Sequence, residues 1–303
     1  MFVSADGSTK AVLYALAANG GIAIAKGIAA WYTHSGAMLA ECIHSSADCI
    51  NQVLLLVGMK RAQAPATEDH PLGYGKAVYF WSFLVAILLF SMGGMFSIYE
   101  GVHKLQHPEM PNSPWVAVAV LAVSILLEWG SLTGALIEVN KIKGRRTFWR
   151  WFRESRQSEL IVVVGEDLAA LAGLTLALLA ILATIFTGNP VYDALGTIAI
   201  GAVLIIVAIT VSIEVKSLLI GESADPEVQE TMCAFLVGRG EVAEVYRMIT
   251  LQLGTDLMVS VKARMSEQQS AMKLVDDINS VEAAFKQQFP QVRWMFFEPD
   301  NRD

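Results

Sequence analysis

Cysteine and charge are both scarce in this sequence. Its 303 residues include only three cysteines, Cys42, Cys49 and Cys233, and their spacing fits neither a zinc-binding pattern nor a disulfide framework. Charged residues make up 17% of the chain, and the net charge is −7. Domains that bind nucleic acid are basic, so this balance argues against nucleic acid as a partner.

A basic leader is also missing. The first seven residues, MFVSADG, contain no Lys or Arg, so we predict neither a cleavable signal nor a transit peptide at this end. On this ground we expect a bacterial inner membrane as the location of the chain.

Long apolar segments are abundant instead. Hydrophobic residues make up 54% of the chain and the mean hydropathy is +0.48, values that indicate a multi-pass protein of the lipid bilayer. Windows of about twenty residues with few charges are long enough to cross the hydrocarbon core. We predict a bundle of six transmembrane helices, over residues 9–30, 36–59, 77–102, 114–139, 159–186 and 191–219.

Lys and Arg are unevenly distributed between the connections. The connection after the fourth span carries seven of them, Lys141, Lys143, Arg145, Arg146, Arg150, Arg153 and Arg156. The connection after the second span carries Lys60, Arg61 and Lys76, whereas those after the first and fifth spans carry none. The positive-inside rule therefore predicts that both termini face the cytoplasm.

The composition changes to a soluble pattern near residue 221. We predict a transport domain over residues 1–220 and a small α+β cytoplasmic domain over 221–303, with the order αββαβ and a ferredoxin-like arrangement. About eighty residues is close to the minimum for a self-standing core. We therefore expect homodimerisation through the strand face and Trp294, Phe296 and Phe297.

The second span carries an unusual polar face. Glu41, His44 and Asp48 stand at i, i+3 and i+7, so they share one side of a helix. A charged group at membrane depth costs several kcal/mol, and such groups normally line a cavity or an ion path. One imidazole with two carboxylates is also a ligand set that suits a divalent transition metal.

Three stretches resemble the cation diffusion facilitator family, and in particular the branch typified by the mitochondrial zinc transporter nine. They are HSGAMLAECIHSSADCINQVLLLVG, HPLGYGKAVYFWS and VVVGEDLAALAG. The resemblance implies a homodimeric transporter, not an enzyme, that exports Zn²⁺ from the cytoplasm in exchange for protons. It also implies two metal ligands from the second span, here His44 and Asp48, and two from the fifth.

The fifth span departs from the family pattern, which repeats His/Asp-x-x-x-Asp there. This chain has only the adjacent acids Glu166 and Asp167. In one register Asp167 is the last ligand and Val163 stands at the first position. In the other, Ala169 and Gly173 stand at the two ligand positions. We favour the second register, because the neighbouring small and apolar residues match better.

The favoured register predicts a displaced site. Glu166 then shares the face of positions 169 and 173, and a metal bound by His44, Asp48 and Glu166 would lie closer to Glu41. Asp167 points about 100° away from Glu166, and its role as a ligand is open. The alternative is that one of these acids pairs with Lys26 or marks the helix entrance.

Other polar residues each have two interpretations. Lys26 neutralises Glu166 or Glu41, or it extends to the outer interface. Glu128 is a proton relay or an inward-facing packing acid. Asn51 and Gln52 hydrogen-bond across the bundle or hold second-layer waters. His70, in the loop after the second span, belongs to a structural turn or to a second metal site.

Together these features predict a metal/proton antiporter with Zn²⁺ as its first candidate. Metal binds ionised carboxylate and neutral imidazole, so metal and protons compete for the same atoms. Mn²⁺, Fe²⁺ and Co²⁺ are alternatives for the same ligand types. A membrane-embedded metalloenzyme is the competing function, but the chain shows no nucleophile motif and no phosphate-binding loop.

Overall fold

The computed structural model describes residues 5–33, 36–110, 113–267 and 270–302, with the backbone alone for 5–7, 29–30, 32–33, 36–41 and 43–44. The chain divides into two compact units. One comprises residues 1–61, 78–153 and 157–216, and the other residues 62–77, 154–156 and 217–303. The division after residue 216 lies four residues before the predicted domain boundary, and the second unit also includes two of the connections.

The first unit is built from long helices. In chain order they are α1 (Ala5–Thr33), α2 (Gly36–Ala62), α3 (Ala77–Leu88), a π-helical segment (Leu89–Met95), α4 (Phe96–Gln106), α5 (Pro114–Ile142), the short α6 (Phe148–Glu154), α7 (Ser158–Thr187) and α8 (Val191–Ile220). Because α3, the π segment and α4 follow one another directly, they form a single rod.

Five helical stretches of the described residues are long and apolar enough to cross a membrane. They are Ser8–Ile28, Ala77–Gln106, Pro114–Ile142, Ser158–Thr187 and Val191–Ile220. The predicted helical membrane bundle is therefore confirmed. α2 has 27 residues, which is also a spanning length, but its first half carries the polar face.

The predicted break between the fifth and sixth spans has a clear cause in the backbone. α7 ends before Gly188, which has a left-handed φ of +68° and donates its N–H to Thr184 O. Glycine adopts this conformation without a Cβ penalty and commonly ends helices. Pro190 follows, and α8 begins at Val191.

Glycines bring the third-span rod and α8 into close contact. A Cβ added to Gly201 would lie 2.7 Å from Gly94 O and 2.8 Å from Ile98 N. A Cβ on Gly101 would lie 2.8 Å from Ile198 N. Small residues allow membrane helices to pack backbone to backbone, so these positions fix where the two helices cross.

α6 was not predicted, because its Arg residues made the connection after the fourth span look like a solvated loop. Its aromatic side chains are what order it. Trp151 and Phe152 are buried, and the ring centroids of Phe148 and Trp151 are 5.9 Å apart. The segment FWRWFRE therefore buries Trp151 and Phe152, while Arg150 and Arg153 remain exposed.

The second unit has the predicted element order αββαβ. It comprises α9 (Pro226–Val237), β1 (Val242–Leu253), β2 (Asp256–Met265), α10 (Ala271–Gln288) and β3 (Val292–Pro299). The sheet order is β1-β2-β3, with β1 antiparallel and β3 parallel to the central β2. Asp225 and Ser270 cap the two helices by accepting hydrogen bonds from Glu227 N and Lys273 N, as their side-chain types favour.

The core of the second unit lies between the sheet and its helices. Val259, Val261 and Phe285 are fully buried there, and Phe297, one of the residues predicted for dimerisation, packs against this core. Phe296 is instead 56% exposed. Phe297 therefore does not belong to the predicted dimer face, whereas Phe296 is exposed and remains available to it. The two neighbours differ because alternate residues of a strand point to opposite faces.

Residues 62–77 and 154–156, from the two basic connections, pack within the second unit. Lys76 Nζ donates to Leu219 O at 3.4 Å, and Arg156 Nε donates to Ser223 O at 2.7 Å. Arg156 also forms an ion pair with Glu222. Parts of the connections after the second and fourth spans therefore belong to the second unit.

Candidate metal site

A small cavity lies inside the first unit. Its volume is about 30 Å³, room for about two water molecules. The lining residues come from α1, α2, the π segment, α5, α7 and α8, and they are Asn19, Asp48, Leu89, Glu128, Glu166, Asp167, Ala170 and Leu204. Four acids thus face one cavity within a bundle of spanning helices.

Glu166 is held by two amides of α2. Asn51 Nδ2 donates to Glu166 Oε1 at 2.9 Å and Gln52 Nε2 donates to Glu166 Oε2 at 2.5 Å. All three side chains are buried. The interpretation that Asn51 and Gln52 hydrogen-bond across the bundle is confirmed, and their partner is the predicted ligand.

Asp167 is oriented toward a different helix. Its Oδ2 accepts a hydrogen bond of 3.0 Å from Ser131 Oγ of α5, and its side chain is buried. Adjacent residues of a helix point about 100° apart, so α7 directs Glu166 to α2 and Asp167 to α5. Both carboxylates nevertheless line the same cavity as Asp48.

The contact of Asn51 with Glu166 has a consequence for the register of α2 and α7. Two spanning stretches, Ala77–Gln106 and Pro114–Ile142, separate these helices in the chain. The end of α2 and the start of α7 are therefore on the same side, and the two helices run in opposite directions. From the Asn51–Glu166 contact, counting back along α2 and forward along α7 brings Asp48 level with position 169 and His44 level with position 173. The two ligand positions of the favoured register are level with the second-span pair but point to α8, because Ala169 packs with Leu204 and a Cβ on Gly173 would lie 3.3 Å from Ile200.

The same contact corrects the expected direction of displacement. Glu166 lies beside Asn51 and Gln52, which follow Asp48 by one turn. Glu41 precedes Asp48 by two turns. The expectation of a site displaced toward Glu41 assumed that both helices run the same way, whereas in opposed helices a step toward the start of α7 is a step toward the end of α2.

Glu128 enters the cavity from α5. It is only 4% exposed, and its Oε2 has no hydrogen-bond partner among the residues that the structure describes. Asp167, Asp48 and Lys26 are its charged neighbours. Glu128 is therefore an inward-facing acid that lines the same cavity as the predicted ligands.

Lys26 is buried in the bundle. It is 3% exposed, and its Nζ donates to Ser45 Oγ at 2.9 Å. The interpretation in which Lys26 extends to the interface is therefore wrong. Its charge acts on Glu128, which is neither of the two acids, Glu166 and Glu41, predicted as its partner.

Two predicted ligands, Glu41 and His44, have side chains outside the described part of the structure. Among the side chains that are described, no three of the His, Cys, Asp and Glu type converge closely enough to hold a metal ion. Asp48, Glu166 and Asp167 are therefore brought to one cavity but not to one point.

Sequence reasoning missed Ser131 and did not assign Asn19 to the cavity. Ser131 follows Glu128 by three residues, so the two share one face of α5. This helical spacing from a buried acid could have identified Ser131 in the sequence. Asn19 carried a weaker signal, because a single amide in a spanning helix is more often structural.

The loop containing His70 forms a local turn. Thr67 N donates to His70 O at 3.1 Å and His70 N donates to Thr67 O at 3.2 Å. The rings of His70 and Tyr74 stack with centroids 4.4 Å apart. These contacts confirm the interpretation of His70 as part of a structural turn.

Comparison with known proteins gives relatives with transport names. The chain is 32% identical over 251 residues to the proton-coupled zinc antiporter SLC30A9, mitochondrial, of Mus musculus, a match that covers 82% of this chain and 44% of that protein. It is 32% identical over 218 residues to the metal tolerance protein C4 of Arabidopsis thaliana, covering 71% of this chain and 48% of that protein. The chain thus spans about half the length of these relatives or less.

A more distant relative is similar over nearly its whole length. The cation-efflux pump FieF of Klebsiella pneumoniae is 22% identical over 282 residues, which is 93% of this chain and 89% of that protein.

The comparison contradicts the predicted bacterial inner membrane. The relatives matched at 31–32% identity from mouse, frog and human are mitochondrial proteins by name. The prediction was based on the absence of a basic leader in the first residues. That absence carries no information when the chain aligns with only 44–45% of each of these relatives.

A family model matches most of the chain. The cation efflux transmembrane domain aligns with residues 12–220, which include every residue that lines the cavity. The resemblance drawn from the second-span motif is therefore confirmed, and the chain belongs to the cation efflux family.

Proposed function

We propose that this chain is an antiporter that exchanges a divalent metal cation, Zn²⁺ in the first place, for protons. The observation that carries the proposal is the buried cavity lined by Asp48, Glu128, Glu166 and Asp167. Acids at this depth are costly without a cation or protons to balance them. The names of the relatives, a proton-coupled zinc antiporter and a cation-efflux pump, support the same function.

The proposed ion ligands are His44, Asp48 and Glu166. The position of Asp48 and Glu166 on one cavity supports the pair, and His44 stands one turn before Asp48 on the same face of α2. Asp167 lines the cavity as well and is the next candidate. Glu41 remains a predicted ligand on the same face of α2.

The exchange follows from competition for the same oxygens. An ionised Glu166 accepts the two amide hydrogen bonds from Asn51 and Gln52. A cation that binds Glu166 displaces its proton, and protonation from the opposite side releases the cation. Alternating exposure of one site to the two sides then couples metal movement to proton movement.

Ligand chemistry places Zn²⁺ first without restricting the site to zinc. A histidine with carboxylates in a four-coordinate site is a common zinc set. The same ligand types accept Fe²⁺ and Co²⁺, and a carboxylate-rich set accepts Mn²⁺. A membrane-embedded metalloenzyme is the alternative function, and no described residue adds a nucleophile to the cavity lining.

We also propose the topology and assembly. In the proposed topology α2 is the sixth spanning helix, and both termini lie on the side of the basic connections. The proposed direction of transport is away from that side. The tail, residues 221–303, is proposed to be a dimerisation domain of ferredoxin-like arrangement. The packing of Lys76 and Arg156 within the second unit supports this sidedness.

Zinc uptake into proteoliposomes tests the proposal. The full chain, reconstituted with an internal zinc dye, should take up Zn²⁺ at a rate that rises with an imposed pH gradient. His44→Ala and Asp48→Ala should abolish this uptake, because each removes a proposed ligand.

The matched control is Glu138→Gln. Glu138 is a buried acid of α5 that pairs with Lys141 and does not line the cavity, so its loss should leave uptake intact. Uptake that ignores the pH gradient would rule out antiport.

A further inference from the structure

We propose that Glu128 is a direct ligand of the transported cation, supplied by the fourth span. This inference rests on the proposed function and adds a residue of α5 to the ion site. Glu128 is 4% exposed, its Oε2 is unpartnered within the described chain, and it lines the cavity together with Asp48 and Glu166.

The unpartnered oxygen is what points to a cation. Buried carboxylate oxygens in folded proteins normally accept hydrogen bonds or coordinate metals, because desolvation without such a partner is costly. The other acids of the cavity have protein donors: Asn51 and Gln52 for Glu166, and Ser131 for Asp167. Glu128 lines the cavity and no described residue is a partner of its Oε2, so the cavity is where a partner can be accommodated.

The charge around Glu128 favours a cation as that partner. Asp167 of α7 and Asp48 of α2 both act on it electrostatically, and Lys26 of α1 is the positive charge acting against them. Glu166 lines the same cavity. A divalent cation among these carboxylates would compensate charge that Lys26 alone cannot.

The fifth span explains why a ligand from α5 is needed. Structural and transport zinc sites favour four ligands. Position 169 is alanine and position 173 is glycine, so neither ligand position of the favoured register provides a donor side chain. The proposed set of four is His44, Asp48, Glu166 and Glu128. Its three described carboxylates line one cavity and would have to move closer together to hold a cation.

Glu138 shows what a structural acid looks like on the same helix. It is 5% exposed, nearly the same as Glu128, but its Oε1 accepts a hydrogen bond of 2.6 Å from Lys141 Nζ. The two glutamates therefore differ in their partner and in facing the cavity, and not in burial.

Zinc binding to the purified full chain tests the proposal. Isothermal titration with Zn²⁺ should show that Glu128→Gln raises the Kd by about 10-fold or more. Even residues that only hydrogen-bond to the ligands of a metal cause a loss of affinity of this size when they are mutated. Glu138→Gln should keep the wild-type Kd. The melting temperature in detergent, measured on each variant, shows that the proteins compared are folded.

Three results would overturn the inference. The first is a wild-type Kd in a folded Glu128→Gln variant, which would make Glu128 a packing acid. The second is a wild-type Kd with lost uptake in proteoliposomes, which would make it a proton carrier. The third is wild-type protein that binds no Zn²⁺, which would also overturn the proposed function. By contrast, Zn²⁺ binding that is lost in Asp48→Ala and kept in Glu128→Gln would overturn this inference and leave the proposed function standing.

If Glu128→Gln does not fold, Glu128→Asp decides. This variant keeps the carboxylate and shortens its reach by one methylene. A ligand shortened in this way loses Zn²⁺ affinity, which supports the proposal, whereas unchanged affinity contradicts it.

Discussion

At the scale of single residues, the adjacent acids of α7 have different surroundings. Glu166 accepts hydrogen bonds from both amides of α2, while Asp167 accepts one from Ser131 of α5. Because α2 carries His44 and Asp48, Glu166 faces the helix with the proposed second-span ligands. The structure thus supports unequal roles for two residues that are neighbours in sequence and similar in chemistry.

This difference predicts an order of effects on transport. Glu166→Gln should reduce zinc uptake at least as much as Asp48→Ala, because it removes a charged ligand. Asp167→Asn should be milder, since Asn retains an oxygen that can accept the hydrogen bond from Ser131. Initial rates of zinc uptake into proteoliposomes, at equal protein content, measure the order. The reverse order would identify Asp167 as the ligand.

Residue types predicted the acids of the site, but not their partners. Glu166 and Asp48 stand out in sequence because carboxylates inside apolar runs are expensive. The pairing of Glu166 with Asn51 depends on how α2 and α7 are aligned in space, which is set by contacts distant in sequence. For that reason the direction of displacement along α2 was inferred wrongly, and the role of Glu166 as a ligand stays a prediction.

At the scale of elements, close packing between the third-span rod and α8 depends on glycine. Gly201 approaches Gly94 O and the backbone of Ile98, and backbone atoms cannot move aside as a flexible side chain can. Leu89 of the π segment and Leu204 of α8 both line the cavity. The crossing therefore positions part of the cavity wall.

A methyl group at this crossing should destabilise the bundle. Gly201→Ala would place its Cβ 2.7 Å from Gly94 O, and overpacking of this kind costs about 1–3 kcal/mol. We expect a lower melting temperature in detergent and slower zinc uptake.

Gly130→Ala on α5 is the control for this substitution. Its Cβ would meet nothing within 4 Å, and alanine favours a helix over glycine by up to about 1 kcal/mol. It should therefore be neutral or stabilising. Equal destabilisation by both variants would show that packing at the crossing is not the cause.

The elements themselves were largely predictable, because their ends carry local signals. The predicted fifth span, residues 159–186, agrees with α7 at Ser158–Thr187, and the first tail helix agrees within one residue. Gly188, Pro190 and Asp225 mark these ends in the sequence. The π segment and α6 carry no such mark: one depends on packing against α8, and the other on burial of Trp151 and Phe152.

At the scale of the whole molecule, the tail presents an apolar sheet face. Ile249, Ser260 and Phe296 are paired neighbours across the three strands, and Ile249 and Phe296 are 48% and 56% exposed. An exposed apolar row on a domain of minimal size favours a partner, and the proposed partner is a second copy of the chain.

A charge on this face should disrupt the dimer. Phe296→Asp leaves the core of the tail intact, because Phe296 lies on the outer face of β3, and we expect the full chain in detergent to shift from dimer to monomer. Light scattering coupled to size exclusion measures the mass. Ser260→Thr, a change that keeps the row uncharged, is the control. A dimer that persists in Phe296→Asp would mean that the membrane helices hold the two copies together.

The contact between Glu166 and Asn51 also has an electrical consequence. It shifts the site by three residues along α2, about 4.5 Å at 1.5 Å per residue, toward the end that carries Lys60 and Arg61. In a hydrocarbon core about 30 Å thick, that is about 15% of the membrane voltage drop. For a divalent cation the shift amounts to about 0.7 kcal/mol per 100 mV, so binding from the side of Lys60 and Arg61 senses less of the membrane potential than it would at an unshifted site.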